Sequence, residues 1–404
     1  MTIPSFAELG LSERLLRAIQ DANYQTPTPI QAKAIPLLLS GQDMLGIAQT
    51  GTGKTAAFTL PLLHNLEQDK RRPGQRRARS LILAPTRELV LQIAQSIKTY
   101  GRHMRMHQTV VIGGVGKRPQ IDGLRRGVDI VIATPGRLLD LINMGHADLS
   151  QTTHLILDEA DTMLDMGFIR DVRKIIAKMP ADRQTLLFSA TMPAAVAKLA
   201  SEILDQPQRV EIAAKSIAVD RIDQRVHHLD AAAKRARLTE LLTTPDFERV
   251  LVFTRTKHGA DKVVKHLARD GVSADAIHGN KSQGARKRAL DNFRHGRSRV
   301  LVATDIASRG IDIDNVSHVI NYELPNVPES YVHRIGRTAR AGADGIAISF
   351  CDASERSDLR SIERLIKRSL TVVGEAPSEP IPAPAKKHKR PPRRRNRRIE
   401  RRAA

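Results

Sequence analysis

The stretch Ala48-Gln49-Thr50-Gly51-Thr52-Gly53-Lys54-Thr55 has the residue types of a phosphate cradle. An apolar run, Met44 to Ala48, leads into it, and a helix-like run, Thr55 to Leu66, leads out. A strand, a glycine-containing turn and a helix N-terminus present backbone N–H groups and partial positive charge to an anion. Lys54 would reach the β- and γ-phosphates of a nucleotide, and Thr55 would ligate Mg²⁺. Ala48 stands where the strict pattern has glycine; the tight turn rests on Gly51 and Gly53. The alternative is a plain Gly/Thr loop before a helix, and Gly-Lys-Thr in this context argues against it. A second cluster, Asp158-Glu159-Ala160-Asp161, follows the apolar run Leu155-Ile156-Leu157. Ligands of α/β sheets sit at the carboxyl ends of strands. There Asp158 suits the metal that bridges the β- and γ-phosphates, and Glu159 suits the attacking water. Alone, such a run could be a solvated helix start; beside the upstream phosphate loop, the catalytic reading prevails.

These residues need a scaffold. The 404 residues allow two domains of ordinary size plus extensions. Aromatics make up 3% and Trp is absent, so the core must be aliphatic, as in parallel α/β sheets. Short apolar runs recur at Leu81–Ala84, Ile130–Ala133, Leu155–Leu157 and Leu186–Phe188, with helical periods such as Leu89, Ile93, Ile97 between them. A fresh series follows at Val250–Phe253, Ala274–Ile277, Val300–Ala303, Val316–Ile320 and Ile346–Phe350. Alternation of this kind predicts an α/β fold with doubly wound sheets. The expected domains are 1–207 and 220–370, with a linker at 208–219 and a tail at 371–404. Only the first half has a phosphate loop. One cysteine, Cys351, excludes an internal disulfide and a cysteine metal cluster. No apolar run nears membrane-spanning length, and the N-terminus lacks a signal-peptide pattern. A cytoplasmic location is expected.

Net charge is +22, which points to a polyanionic partner. Residues 386–404 carry eleven Lys/Arg and one Glu, a net +10, and the remaining +12 belongs to the body. The Pro/Ala-rich and then basic tail cannot bury enough apolar area to fold alone. It reads as a disordered, nucleic-acid-binding extension. The basic loop at 69–79 is equally consistent with a solvated connection and an RNA contact.

Asp-Glu-Ala-Asp at 158–161, together with Ala-Gln-Thr-Gly-Thr-Gly-Lys-Thr at 48–55, resembles the DEAD-box family of ATP-dependent RNA helicases. The resemblance covers roughly residues 6–345, with the family's motifs in order. Met166-Gly167-Phe168 and the short basic tail are most similar to the bacterial RhlE-type subgroup. The resemblance implies two tandem RecA-like parallel-sheet domains joined by a short linker, an RNA-dependent Mg-ATPase, and cofactors ATP and Mg²⁺. It places adenine recognition at Phe6, Tyr24, Thr26 and Gln31. The usual glycine before the aromatic is Asn23 here, a residue that also tolerates αL backbone. Ser189-Ala190-Thr191 matches the motif coupling ATP state to strand separation. Thr86, Arg87, Gly114, Thr134 and Arg137, then Arg255, Arg286 and Thr304, match RNA contacts. Asp305 and Gly310 match the nucleotide side of the second domain, and Arg337 and Arg340 match arginine fingers.

None of these positions offers an aromatic to a base, so readout of backbone and 2′-OH without sequence preference is implied. The expected state is a monomer, with ribosome-assembly or RNA-degradation partners compatible. Two other classes stay open: a non-catalytic RNA clamp or annealing chaperone, which Lys54→Ala would leave intact, and a DNA-directed helicase, which RNA-versus-DNA competition would expose. Deleting the tail after Gly374 is expected to weaken RNA binding while RNA-saturated kcat holds. If roughly six tail charges touch phosphates, the log–log salt slope of binding falls by about four to five. An unchanged slope would exclude the tail as an RNA contact.

Overall fold

The computed structural model describes residues 4–49, 51–212, 222–305, 316–339 and 345–374. The first half is a seven-stranded sheet: β1 (Met44–Ile47), β2 (Ala78–Leu83), β3 (Gln108–Val111), β4 (Val128–Ala133), β5 (His154–Leu157), β6 (Gln184–Ser189) and β7 (Gln208–Glu211). All pairings are parallel, in the order β3-β4-β2-β5-β6-β1-β7. Every residue of β2 and of β4 is buried because helices cover both faces, which explains the apolar runs Leu81–Leu83 and Ile130–Ala133; the buried Arg79 and Asp129 at their starts pair with each other at 2.8 Å.

Those helices sort by chain order. On one face, α1 (Glu13–Asp21), α2 (Pro29–Leu39), α3 (Lys54–Gln68) and α4 (Arg87–Tyr100) pack on Ile82, Ile130 and Ile132. On the other, α5 (Arg118–Arg125), α6 (Pro135–Asn143), α7 (Ala160–Asp165), α8 (Ile169–Ile176) and α9 (Ala194–Ile203) pack on Leu81, Leu83 and Val131. Alternate residues of one strand therefore feed two separate cores.

The second half repeats the topology. Its strands are β8 (Ile222–His228), β9 (Val250–Thr254), β10 (Ala274–Ile277), β11 (Val300–Thr304), β12 (His318–Asn321), β13 (Gly345–Cys351) and β14 (Thr371–Val372). They pair in parallel as β10-β11-β9-β12-β13-β8-β14, strand for strand the order of the first sheet. The expected RecA-like tandem of parallel sheets is thus present.

Two boundaries move. Residues 208–211, expected in the linker, form β7, because the exposed edge of β1 offers backbone partners and Val210 can bury on one face. Thr371 and Val372, expected in the tail, pair with β8 as β14. The rest of the expected linker from residue 213, the tail from residue 375, and site residues Thr50, Gly310 and Arg340 lie outside the described residues. No helix among the described residues is long and apolar enough to cross a membrane. Burial pushes the Cys351 thiol up to about 12, which leaves it unreactive.

The second domain also carries a buried charge network. Lys234 bonds Glu355 and lies 2.9 Å from Asp352, with the ammonium and the Glu355 carboxylate both withdrawn from solvent. Glu355 further accepts from the Leu324 N–H at 3.0 Å and pairs with Arg255 at 3.0 Å. Removing one member of such a set strands the other charges. Glu355→Ala is therefore expected to destabilise the second domain by about 3–5 kcal/mol, read as a lower midpoint for its transition in urea. A shift under about 1 kcal/mol would show that solvent already reaches the network.

Candidate active site

Strand order creates the site. β6 lies between β1 and β5, so the turns after these three strands stand side by side at the carboxyl edge of the first sheet. Adjacent strands are about 4.8 Å apart, which sets the phosphate loop and the acidic motif about 10 Å from each other, across the end of β6.

The loop is built for close backbone approach. Gly51 and Gly53 have φ of 83° and 91°, in the left-handed region. A Cβ on Gly53 would lie 2.5 Å from Gln31 Nε2 and 2.9 Å from Thr28 Oγ1. Gln31 thus roofs the loop: its Nε2–H donates to the Gly53 carbonyl at 3.2 Å, and its Oε1 accepts from the Thr28 N–H at 2.9 Å. Thr52 Oγ1–H donates to the Gln49 carbonyl at 2.8 Å. Lys54 is buried and folded back, its ammonium donating to the Ala48 carbonyl at 2.8 Å. Thr55 lies in the first turn of α3. Nearby, Asn23 takes φ 57°, as its substitution for glycine requires, and presents Tyr24, 48% exposed, with its ring 6.0 Å from Tyr100. Thr26 follows in the loop before α2. Phe6 is instead buried in the core beneath, so it supports this corner by packing.

Asp158 and Glu159 lie buried at the end of β5. Burial pushes the Asp158 carboxyl up to about 7, against the pull of the Lys54 ammonium. A cation beside it would reverse that shift. Glu159 sits at φ 53°, ψ 55°, a left-handed conformation for a residue that is not glycine, and such strain gathers at functional sites. Asp161 is a contact sequence reasoning missed. Its Oδ2 accepts from the Ala190 N–H at 3.1 Å, the Thr191 N–H at 2.8 Å and the Thr191 hydroxyl at 2.9 Å. Ser189 Oγ accepts from the Asp161 N–H at 3.2 Å and donates to the Thr191 carbonyl at 2.7 Å. The signal was present, because the acidic motif carries two aspartates and only one was needed near the phosphates.

The expected RNA residues divide. Thr86 Oγ1 caps α4 by accepting from the Leu89 N–H at 3.3 Å, and Thr134 stands at the N-cap of α6. Arg137 donates to the Val115 carbonyl at 3.0 Å. Gly114 leaves room for Arg87: a Cβ there would lie 2.1 Å from Arg87 Nη1. The two halves then meet. Arg286 pairs with Glu88 at 2.9 Å, Gln283 Nε2–H donates to Glu88 at 3.2 Å, and Arg87 donates to Gln283 Oε1 at 3.4 Å. Glu88, another residue not singled out in the sequence, is the acidic hub of that contact. Arg255 departs from expectation. Its guanidinium binds Asp358 at 2.8 Å and Glu355 at 3.0 Å inside the second domain, so it braces the fold and is not turned towards a phosphate backbone.

Thr304 ends β11 and is buried, and Asp305 follows it. The Asp305 carboxylate is gripped by Arg334 at 2.6 and 2.8 Å, and Arg334 itself lies buried with its guanidinium 5.0 Å from the centre of the Phe253 ring. Arg337 is buried with Nε–H to the His333 carbonyl at 3.3 Å.

Residues 28–199 match the DEAD/DEAH box helicase model, and residues 233–342 match the helicase conserved C-terminal domain. The chain is 42% identical to the DEAD-box ATP-dependent RNA helicase CshA of Bacillus cereus over 366 residues, 91% of this chain and 69% of that protein. The chain belongs to the DEAD-box helicase family. It is also 44% identical to the ATP-dependent RNA helicase DeaD of Escherichia coli, over 91% of this chain and 58% of that one. This DEAD-box chain spans about 57–64% of the length of the DeaD relatives it matches. These relatives establish the family and not the RhlE-type subgroup. Among solved structures, S. cerevisiae Dbp5 bound to RNA and ADP BeF3 matches with a TM-score of 0.82 at 34% identity, covering 91% of this chain and 95% of that one. The match to Dbp5 bound to Gle1 and IP6 is lower, with a TM-score of 0.73.

Gly53→Ala tests the loop. A methyl group there meets Gln31 and forces φ 91° on a side chain that resists it. Nucleotide affinity, measured by titration with a fluorescent ATP analogue, is expected to fall about tenfold or more, because about 1–2 kcal/mol is lost to αL strain alone. Unchanged affinity would mean the loop binds nucleotide in another conformation.

Proposed function

We propose that the protein is an ATP-dependent RNA helicase: an RNA-stimulated Mg-ATPase whose domain closure locally opens RNA duplexes and remodels RNA–protein complexes. The observation that carries this reading is the contact of the two halves through RNA-side residues, Glu88 with Gln283 and Arg286. RNA lying along that face would bridge both domains and favour their closure. ATP and RNA affinities are then coupled reciprocally.

The residues divide the chemistry. Tyr24 and Gln31 select adenine by stacking and by amide hydrogen bonds. The glycine loop amides and Lys54 hold the phosphates, with Lys54 leaving the Ala48 carbonyl to do so. Glu159 orients the water and takes its proton as the water oxygen bonds the γ-phosphorus and the bond to the β-phosphate oxygen breaks. Arg337 and Arg340, brought by closure, face the charge that develops on the transferred group. Asp305, held by Arg334, faces the ribose. Thr55 and Asp158 are hard oxygen donors suited to Mg²⁺, and the buried, protonation-prone Asp158 has the character of a carboxylate awaiting a cation. The ion, when bound, neutralises phosphate charge. Among the described residues no group of three or more His, Cys, Asp or Glu could hold a metal, so phosphates and water would complete its shell.

A base-pair step is worth about 1.4 kcal/mol on average for DNA, so one closure can open a few steps without processive movement. The basic tail adds affinity for RNA. A cytoplasmic monomer of the RhlE-type subgroup, serving ribosome assembly or RNA degradation, fits this reading.

ATPase assays with and without RNA test it. Wild-type hydrolysis is expected to depend on RNA, and Glu159→Gln and Arg337→Ala are each expected to lower kcat by about 100-fold or more. RNA-independent hydrolysis, or full activity in either variant, would sink the proposal. A stronger response to DNA than to RNA of equal length would instead favour a DNA-directed enzyme.

A further inference from the structure

The phosphate loop, the acidic motif and the Ser189–Thr191 turn lie at the carboxyl edge of the first sheet. The opposite edge, where the strands begin, carries its own charge. The loop before β2 supplies Lys70, Arg72 and Arg76; the end of α5, just before β4, supplies Arg125 and Arg126; and the loop before β6 supplies Lys178. All six are exposed, and none forms an ion pair among the described residues. Neighbouring cations are matched: Arg71 pairs with Asp69, Arg77 with Asp148, and Arg79 with Asp69 and Asp129. The unmatched set is thus a surplus rather than a salt-bridged surface.

Packing brings these segments together. Gly127, directly after Arg126, approaches so closely that a Cβ would lie 2.3 Å from the Gly74 carbonyl oxygen. Arg76 takes φ 61° and donates Nη1–H to the Gly145 carbonyl at 2.9 Å, which fixes its guanidinium beside a cavity of about 710 Å³. Its polar lining is Gln75, Arg76, Arg77, Asn143, Lys178 and one acid, Asp148, whose charge is matched by Arg77; the rest is aliphatic or glycine, with no aromatic wall. The six residues of β2 separate this edge from Thr86 and the phosphate loop by about 20 Å.

We propose that this edge is a second RNA-binding surface, which holds the phosphate backbone of a structured segment flanking the RNA bound in the cleft. Arginines dominate it, and their forked donors suit phosphate oxygens. No aromatic is offered for unstacked bases, so duplex backbone fits better than single strand. Protein partners are usually anchored by aromatic or apolar groups, and of the large apolar side chains exposed among the described residues only Met144 belongs to this edge. The surface is carried by the first domain and is separate in sequence from the tail. This inference deepens the RNA-remodelling reading and rests on it for its partner.

The full chain is compared with a variant carrying Lys70→Gln, Arg72→Gln, Arg125→Gln and Arg126→Gln. Two RNAs are titrated by anisotropy: a short duplex with a single-stranded end, and the same RNA extended by a long hairpin. The wild type is expected to bind the extended RNA more tightly. The variant is expected to bind the short RNA as wild type does, with equal RNA-stimulated ATPase and melting temperature, and to lose affinity for the extended RNA about tenfold or more. Its salt slope on that RNA falls by about three to four units, near 0.9 per lost phosphate contact. A loop-only variant, Lys70→Gln with Arg72→Gln, loses about half of that slope and cannot act through α5 folding. Arg72→Lys with Arg125→Lys and Arg126→Lys keeps most of the gain. Equal binding of the extended RNA by wild type and the four-site variant overturns the inference, as does a wild type that gains nothing from the extension. If only binding of poly-L-glutamate drops, the surface takes an acidic protein and the inference fails. A wild type without RNA-stimulated ATPase would instead overturn the functional reading, while the hairpin comparison still judges this surface.

Discussion

One carboxylate joins the two halves of the chemistry. Asp161 receives three hydrogen bonds from Ala190 and Thr191 and so fastens the turn after β5 to the turn after β6. Hydrogen bonds to a charged acceptor in a buried setting are about twice as strong as neutral ones. Any shift of the nucleotide-side carboxylates therefore drags the Ser189–Thr191 segment with it, and the reverse. Under the proposed function, such a link would let a change at the phosphates be felt by an adjacent turn, without a long pathway through the core.

The second half is organised around Arg334 in the same way. It ties Asp305 after β11 to Asn321 at the end of β12, with the Phe253 ring of β9 beneath it. The two sheets share one strand order, yet they use it differently. In the first, the carboxyl edge carries glycine turns and acids. In the second, it carries a buried arginine and its partners, with Arg337 alongside.

Much of this was legible in the sequence because the strands are buried on both faces and spell themselves as apolar runs. β2, β4, β5, β6, β9 and β11 all fall on such runs. β3 and β8 did not stand out, since Gln108-Thr109 and the alternating Asp223, Arg225 and His227 of β8 read as polar surface. The short edge strands β7 and β14 were missed for another reason: their pairing is decided by an open neighbour, not by their own composition. The phosphate loop and acidic pair were legible from local chemistry. Glu88, Asp161 and Arg334 were not, because their meaning lies in partners between 13 and 198 residues away. Arg255 shows the opposite failure, a basic residue in a motif whose charge turns out to be consumed internally.

Glu159 adopts a backbone shape that asparagine accepts far more readily. Left-handed geometry costs a side chain of its kind about 1–2 kcal/mol. The native ensemble is thus kept slightly less favourable at the position where the proposed hydrolysis would use a carboxylate. A population selected only for heat resistance would drift here towards residues that rest easily in that shape, and under the proposed role of Glu159 the sturdier descendants would be catalytically silent.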